Sequence, residues 1–87
     1  MNTFNLKISS PDGNAFEGEA VKISLRGSEG DLAVMAGHIS FLTAVLPCEV
    51  KVELPDETEW IGKTGEGLLS VGENKVTLLS GNIEVIS

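Results

Sequence analysis

Apolar and polar residues change places at every step over much of this chain. Phe4, Leu6 and Ile8 alternate with Asn5, Lys7 and Ser9. Val21, Ile23 and Leu25 alternate with Lys22, Ser24 and Arg26, and Val50, Val52 and Leu54 with Glu49, Lys51 and Glu53. A period of two sends one set of side chains to a buried face and the other to water, so these segments read as half-buried strands. Weaker versions recur at 32–36, 76–79 and 83–86. The run Phe41-Leu42-Thr43-Ala44-Val45-Leu46 is too short for its period to separate strand from helix. Its β-favouring content and the closing Pro47 favour strand.

Turn chemistry punctuates these segments at short intervals: Pro11-Asp12-Gly13, 27–30, Gly37-His38, Pro55-Asp56, 65–67, Gly72-Glu73-Asn74 and Ser80-Gly81-Asn82. Gly and Asn accept the positive φ that tight hairpins need, and Pro presets the entry angle. No helical stripe with caps, low-complexity segment or internal repeat is visible. The expected fold is all-β, a two-layer antiparallel β-sandwich of about ten short strands. A length of 87 residues supports one core, so 1–87 is expected to be a single domain. Its folded surface should be roughly 4,900 Å².

Charge narrows the partners. Six Lys+Arg against thirteen Asp+Glu leave a net charge of −7, which argues against nucleic acid, whose phosphates are met by Lys and Arg. The apolar runs are too short for a bilayer-crossing helix, and no direct membrane insertion is expected. Met1-Asn2-Thr3-Phe4 lacks the basic and apolar regions of a secretory leader. The lone Cys48 has no internal disulfide partner, which fits a reducing compartment.

Chemistry within the chain is not expected, nor is a metal or a cofactor. Nucleophilic catalysis needs a base beside the nucleophile and a group to orient it. Cys48, His38 and Asp31 supply the residue types, but Cys48 after Pro47 reads better as a small, half-buried packing residue. One His and one Cys lack zinc-finger spacing. Asp56-Glu57-Thr58-Glu59 lacks the glycine and terminal Glu of a calcium loop and reads as a solvated hairpin tip. Gly65-Glu66-Gly67 is not followed by Lys-Ser/Thr and reads as a turn. Trp60 is expected to cover an edge of the sandwich. The alternative class is a small acidic carrier domain, lipoylated or biotinylated at Lys75 beside the Gly72-Glu73-Asn74 turn, although the flanking residues of such carriers are absent.

The stretch Gly27-Ser28-Glu29-Gly30-Asp31-Leu32-Ala33-Val34-Met35-Ala36-Gly37-His38-Ile39-Ser40-Phe41-Leu42-Thr43-Ala44 resembles the signature of the epsilon subunit of F-type ATP synthases. There Glu-Gly-Glu-Leu-Gly-Val leads into Pro-Gly-His and Leu-Leu-Thr. Leu6-Lys7-Ile8-Ser9-Ser10-Pro11-Asp12-Gly13 with Phe16-Glu17-Gly18 is similar to that family's first hairpin. Gly67-Leu68-Leu69-Ser70-Val71 and Asn74-Lys75-Val76-Thr77-Leu78-Leu79 are similar to its closing strands. Ala36 and Ser40 stand where the family often has Pro, and Cys48 where a Pro-Gly turn is common. Full-length members continue into a C-terminal helical hairpin. This sequence stops at Ser87, as either a naturally short form or a trimmed one would, so the 87 residues carry no helical hairpin and no braking or ATP-sensing role is assigned to them.

The resemblance implies a non-catalytic rotor subunit at the foot of the central stalk. It would link the gamma subunit to the membrane c ring and couple proton-driven rotation to ATP synthesis. It would work as a peripheral part of the complex on the cytoplasmic face of a bacterial plasma membrane or another energy-coupling membrane. Glu29 and Asp31, with His38, are the implied contacts with the c ring, His38 lying close to gamma or the ring. Ser10, Leu42, Leu68 and Leu69 are the implied contacts with gamma. Alternation alone leaves one face of the double-apolar stretches 41–46 and 68–69 to water or to a covering loop.

Overall fold

Turn residues cut the chain into ten strands, none longer than eight residues. The structure, a computed structural model, describes residues 2–37 and 40–86. The strands are β1 (Phe4–Ser10), β2 (Gly13–Ala20), β3 (Lys22–Gly27), β4 (Gly30–Met35), β5 (Phe41–Val45), β6 (Cys48–Glu53), β7 (Glu59–Thr64), β8 (Gly67–Gly72), β9 (Lys75–Ser80) and β10 (Ile83–Val85), and the described residues include no helix.

One hydrogen-bonded path runs β10-β7-β6-β3-β5-β8-β9-β1-β2, with β4 paired to β3. It folds into two layers, β4-β3-β6-β7-β10 and β5-β8-β9-β1-β2. The hand-over is narrow: only Gly27 of β3 is in register with Val45 of β5, whereas 22–24 of β3 face 51–53 of β6. Leu46 and Pro47 form the corner at which the chain leaves one layer for the other. Pro cannot donate to a ladder, and the Leu46 N–H beside it is satisfied by the Arg26 carbonyl at 3.0 Å.

The pairing is antiparallel, as alternation predicts, except at one seam. β1 runs parallel to β9, with Leu6 beside Val76 and Ile8 beside Leu78. The first and the ninth strand meet there without a hairpin to dictate direction, and the Asn5 N–H bonds the Asn74 carbonyl at 3.1 Å to start the seam.

The inward positions form one core. Phe4, Leu6, Ile8, Ile23, Leu25, Val34, Val45, Val50, Val52, Leu69, Val71, Val76 and Leu78 are all buried there. Burying each contributes about 1.5–3 kcal/mol, offset by the conformational entropy of ordering the chain. The accessible surface is 5114 Å², near the value expected for this mass.

The path ends at β2 and β10, and aromatic rings close the gap between them. Phe16 of β2 and Trp60 of β7 both face inward and touch there. Trp60 thus covers an edge, as its sequence context implies. Gly62 makes room for it: a Cβ at Gly62 would lie 2.6 Å from Trp60 Cη2 and 3.0 Å from the Glu84 carbonyl.

Registers also sort the turns to two ends. The 11–12, 28–29, 65–66 and 81–82 turns and the Leu46–Pro47 corner gather at one end; the 36–37, 55–58 and 73–74 turns lie at the other.

Candidate docking surface

The two outer faces of the sandwich differ in chemistry. On the β3-β4-β6 side, charges pair across strands: Lys22 Nζ lies 3.8 Å from Glu53 Oε2, and Arg26 Nε donates to Asp31 Oδ1 at 2.9 Å. Part of that face's charge is thus paired within it, while Lys51 and Lys63, also exposed there, have no ion-pair partner among the described residues. On the other side, the outward positions of β5, β8 and much of β9 carry no charge.

Those positions form two rows. In the first, Ala44 stands opposite Leu68 and Leu68 opposite Leu79; in the second, Leu42 stands opposite Ser70 and Ser70 opposite Thr77. Leu42 is 63% exposed, Leu68 41% and Leu79 51%. Directly opposed neighbours lie within about 5.5 Å, and Leu42 meets Leu68 on the diagonal at about 7–8 Å, within reach of long side chains, so these leucines form one apolar strip. A contiguous apolar patch free of charge is what the centre of a protein interface looks like.

The strand pleat separates the two leucines grouped by sequence. Leu68 faces water, whereas Leu69 is fully buried opposite Leu78, inside the core. Leu69 as a surface contact is therefore corrected: neighbours in a strand point to opposite faces, and Leu69 has the parity of Val71. Leu42 is outward, between the inward Phe41 and Thr43. Leu79, absent from the implied gamma contacts, joins the strip because β9 lies next to β8. Its signal was there in the doublet Leu78-Leu79, but the partner strand had to be known.

Ser10 is half-buried at the end of β1, one position past the Ser9 that faces Leu79. Its hydroxyl donates to the Gly13 carbonyl at 3.4 Å and accepts the Asp12 N–H at 3.3 Å, so it shapes the hairpin next to the strip.

Glu29 and Asp31 belong to the tip of the β3–β4 hairpin, where Gly30 takes φ 122°, a conformation that favours glycine. Glu29 is exposed at the turn. Asp31 is committed to Arg26, and its hydrogen bond and charge raise the Arg26 guanidinium further above its ordinary value. The tip is tied to the end of β5 by the Ser28 N–H, which donates to the Ala44 carbonyl at 3.1 Å. The hairpin tip and the leucine strip are therefore neighbours.

His38 lies outside the described residues. Gly37, just before it, is at the far end of β4 from Glu29, among Phe4, Gly72 and Asn74. Six strand residues separate the two turns by roughly 17–20 Å. Cys48 sits at the Glu29 end, half-buried, with its Sγ accepting the Arg26 N–H at 3.3 Å. Among the described residues no group of three or more His, Cys, Asp or Glu gathers as for a metal. The 55–58 segment is a hairpin tip, as expected, where the Thr58 N–H and hydroxyl both donate to Asp56 Oδ1. Lys75 is the first residue of β9, beside a turn in which Asn74 adopts φ 58°.

The family model for the ATP synthase delta/epsilon chain β-sandwich domain matches residues 3–86. The ATP synthase epsilon chain of Wolbachia pipientis subsp. Culex pipiens (strain wPip) is 31% identical over 85 residues, covering 98% of this chain and 75% of that protein. The epsilon chain of Wolbachia pipientis wMel is 32% identical over the same length. Among solved structures, a chain of the Euglena gracilis mitochondrial ATP synthase (OSCP/F1/c-ring, rotational state 1) superposes with a TM-score of 0.89 at 19% identity over 95% of this chain. A chain of the Tetrahymena thermophila mitochondrial ATP synthase central stalk and c-ring does so with a TM-score of 0.74 at 11% identity over 91%. This chain spans 53% and 63% of those two chains, about half to under two thirds of their length. These likenesses do not favour the Lys75 carrier alternative. The chain belongs to the ATP synthase delta/epsilon β-sandwich family.

Proposed function

We infer that this chain is a non-catalytic central-stalk subunit of an F-type ATP synthase, docking on the gamma subunit through its leucine strip and facing the c ring with its β3–β4 tip. The uncharged strip of Leu42, Ala44, Leu68 and Leu79, on an otherwise acidic molecule, is the observation that carries this reading. Ser10 borders the strip. A standard interface takes about 800 Å² from each partner, roughly one sixth of the 5114 Å² surface, and one face of a sheet layer supplies that. Glu29 gives the tip a free carboxylate for a basic loop, orienting more than strengthening the contact. Asp31 adds charge to the same tip while tied to Arg26. His38 lies outside the described residues, and its contact with gamma or the ring is carried by the resemblance alone. The close-packed core resists shear, which suits a part that passes on rotation without making or breaking bonds. The place of work is the membrane surface on which the catalytic head stands, the cytoplasmic face in a bacterium.

The test is reconstitution with gamma and the c ring. Leu42→Asp with Leu68→Asp should abolish binding to gamma and leave the isolated fold intact. Glu29→Lys with Asp31→Lys should weaken capture by the c ring at moderate salt. Gamma binding that survives the leucine pair, or ring capture that ignores the charge reversal, contradicts the corresponding contact.

A further inference from the structure

The leucine strip does not end in water. Its second row continues from Thr77 to Lys7 of β1, and Lys75 stands two residues before Thr77 on the same face, beside Asn5. Both lysines are exposed, and they flank a shallow groove shared with Asn5, Glu17 and Gly18. Carboxylates are near enough to pair with them: Glu17 is directly across from Lys7, and Glu19 across from Asn5. Yet both acids are held by other groups. Asn14 Nδ2 donates to Glu17 Oε1 at 3.1 Å, and the Thr3 hydroxyl donates to Glu19 Oε1 at 2.9 Å. Among the described residues the ion pairs are those of Lys22 and Arg26, and neither Lys7 nor Lys75 has a partner. A chain of net charge −7 thus keeps two neighbouring cations unneutralised at the border of its apolar strip.

We propose that Lys7 and Lys75 form the polar border of the docking face and receive carboxylates of the protein subunit whose apolar side chains cover Leu42, Leu68 and Leu79. This rests on the reading of the strip as the gamma contact and adds the chemistry of the partner: an apolar centre with acidic side chains on the side that meets β1 and β9. Apolar contact alone would let a flat strip slide along the sheet. Two cations at one border fix which way round the partner sits, and they reject a partner with basic residues there. Their mutual repulsion, relieved by an incoming carboxylate, favours the bound state.

Binding of purified gamma to the wild-type chain, to Lys7→Glu with Lys75→Glu, to Lys7→Met with Lys75→Met, and to Leu68→Asp would be measured over a range of salt. Since screening reaches about 8 Å at physiological ionic strength, the charge-reversed pair should bind about tenfold more weakly at low salt, and the deficit should shrink as salt rises. The Met pair should lose a smaller factor together with the salt dependence. Leu68→Asp should fail at every salt concentration. If Leu68→Asp abolishes binding while both lysine pairs behave as wild type at all salt concentrations, the lysine assignment is wrong and the strip assignment stands. If none of the variants alters binding, both are wrong. Loss of binding to phosphatidylglycerol vesicles by the lysine variants, with gamma affinity unchanged, would assign the pair to a lipid surface and overturn the proposal.

Discussion

Trp60 and Phe16 meet with ring centroids 5.8 Å apart and planes inclined at 58°. The contact joins β7 of one layer to β2 at the end of the other, and β10 beside it contributes only three residues. A tilted aromatic pair of this kind contributes about 0.5–1.5 kcal/mol beyond its buried area. It also fills the gap between the two ends of the pairing path with apolar surface.

Gly62 is the seat of that pair. Gly62→Ala puts a methyl group against both the indole and the Glu84 carbonyl and should destabilise the fold by about 1–3 kcal/mol. Far-UV circular dichroism in urea titrations reports the loss, and does so equally for variants that lack Trp60, the one tryptophan of the chain. Combining Gly62→Ala with Trp60→Leu should cost less than the sum of the two, because the clash with the indole is gone. Strict additivity would mean that Gly62 serves only the β10 backbone.

Leu68 and Leu69 should separate stability from binding. Leu69→Ala opens a cavity in the core and should cost about 2–5 kcal/mol, a large share of the roughly 4–13 kcal/mol available to a chain of this length. Leu68→Ala should change stability by no more than about 0.5 kcal/mol while lowering affinity for gamma. Denaturant midpoints and binding isotherms of the two variants check this, and the reverse pattern would refute the assigned faces.

Glu57 adopts φ 70° in the β6–β7 hairpin, where its N–H bonds the Leu54 carbonyl at 3.1 Å. A non-glycine residue there costs about 1–2 kcal/mol, and glycine returns part of that gain through the freedom of the unfolded chain. Glu57→Gly should therefore stabilise by about 0.5–1 kcal/mol, raising the melting midpoint by a few degrees in calorimetry.

The same hairpin carries a pH response. Side-chain and backbone hydrogen bonds from Thr58 hold the Asp56 carboxyl below its ordinary 3.8. A depressed folded-state value means that the contribution is complete above the unfolded value and disappears as pH falls through the folded one. Denaturation midpoints taken between about pH 6 and pH 2 should fall more steeply for the wild type than for Asp56→Asn. Identical profiles would remove Asp56 from the acid response.

Much of this was open to sequence reasoning. β1, β3 and β6 show in the alternation of large apolar residues with polar ones. The hairpin tips show in Gly, Pro, Asn and Asp, and the family in the blocks around Glu29, Leu6 and Leu68. β2 and β7 were harder. Their inward positions include Gly18, Ala20, Gly62 and Thr64, which are too small or too polar to register as an apolar face. Gly18 lies next to the Phe16 ring and Gly62 beneath the Trp60 indole, so the aromatic side chains take up the space that these small residues leave.

Period two, read along the chain, settles that a residue and its neighbour face opposite ways, and it needs nothing beyond the backbone pleat. It does not say which face a partner layer covers when both are apolar, as at Leu68 and Leu69, because coverage belongs to strands distant in the chain. Only the tertiary structure put β1 parallel to β9, added Leu79 to the strip, and set Lys7 and Lys75 side by side at its border without an ion-pair partner. Each of these follows from register between segments far apart in sequence, which the packing of the whole core selects and no local pattern encodes.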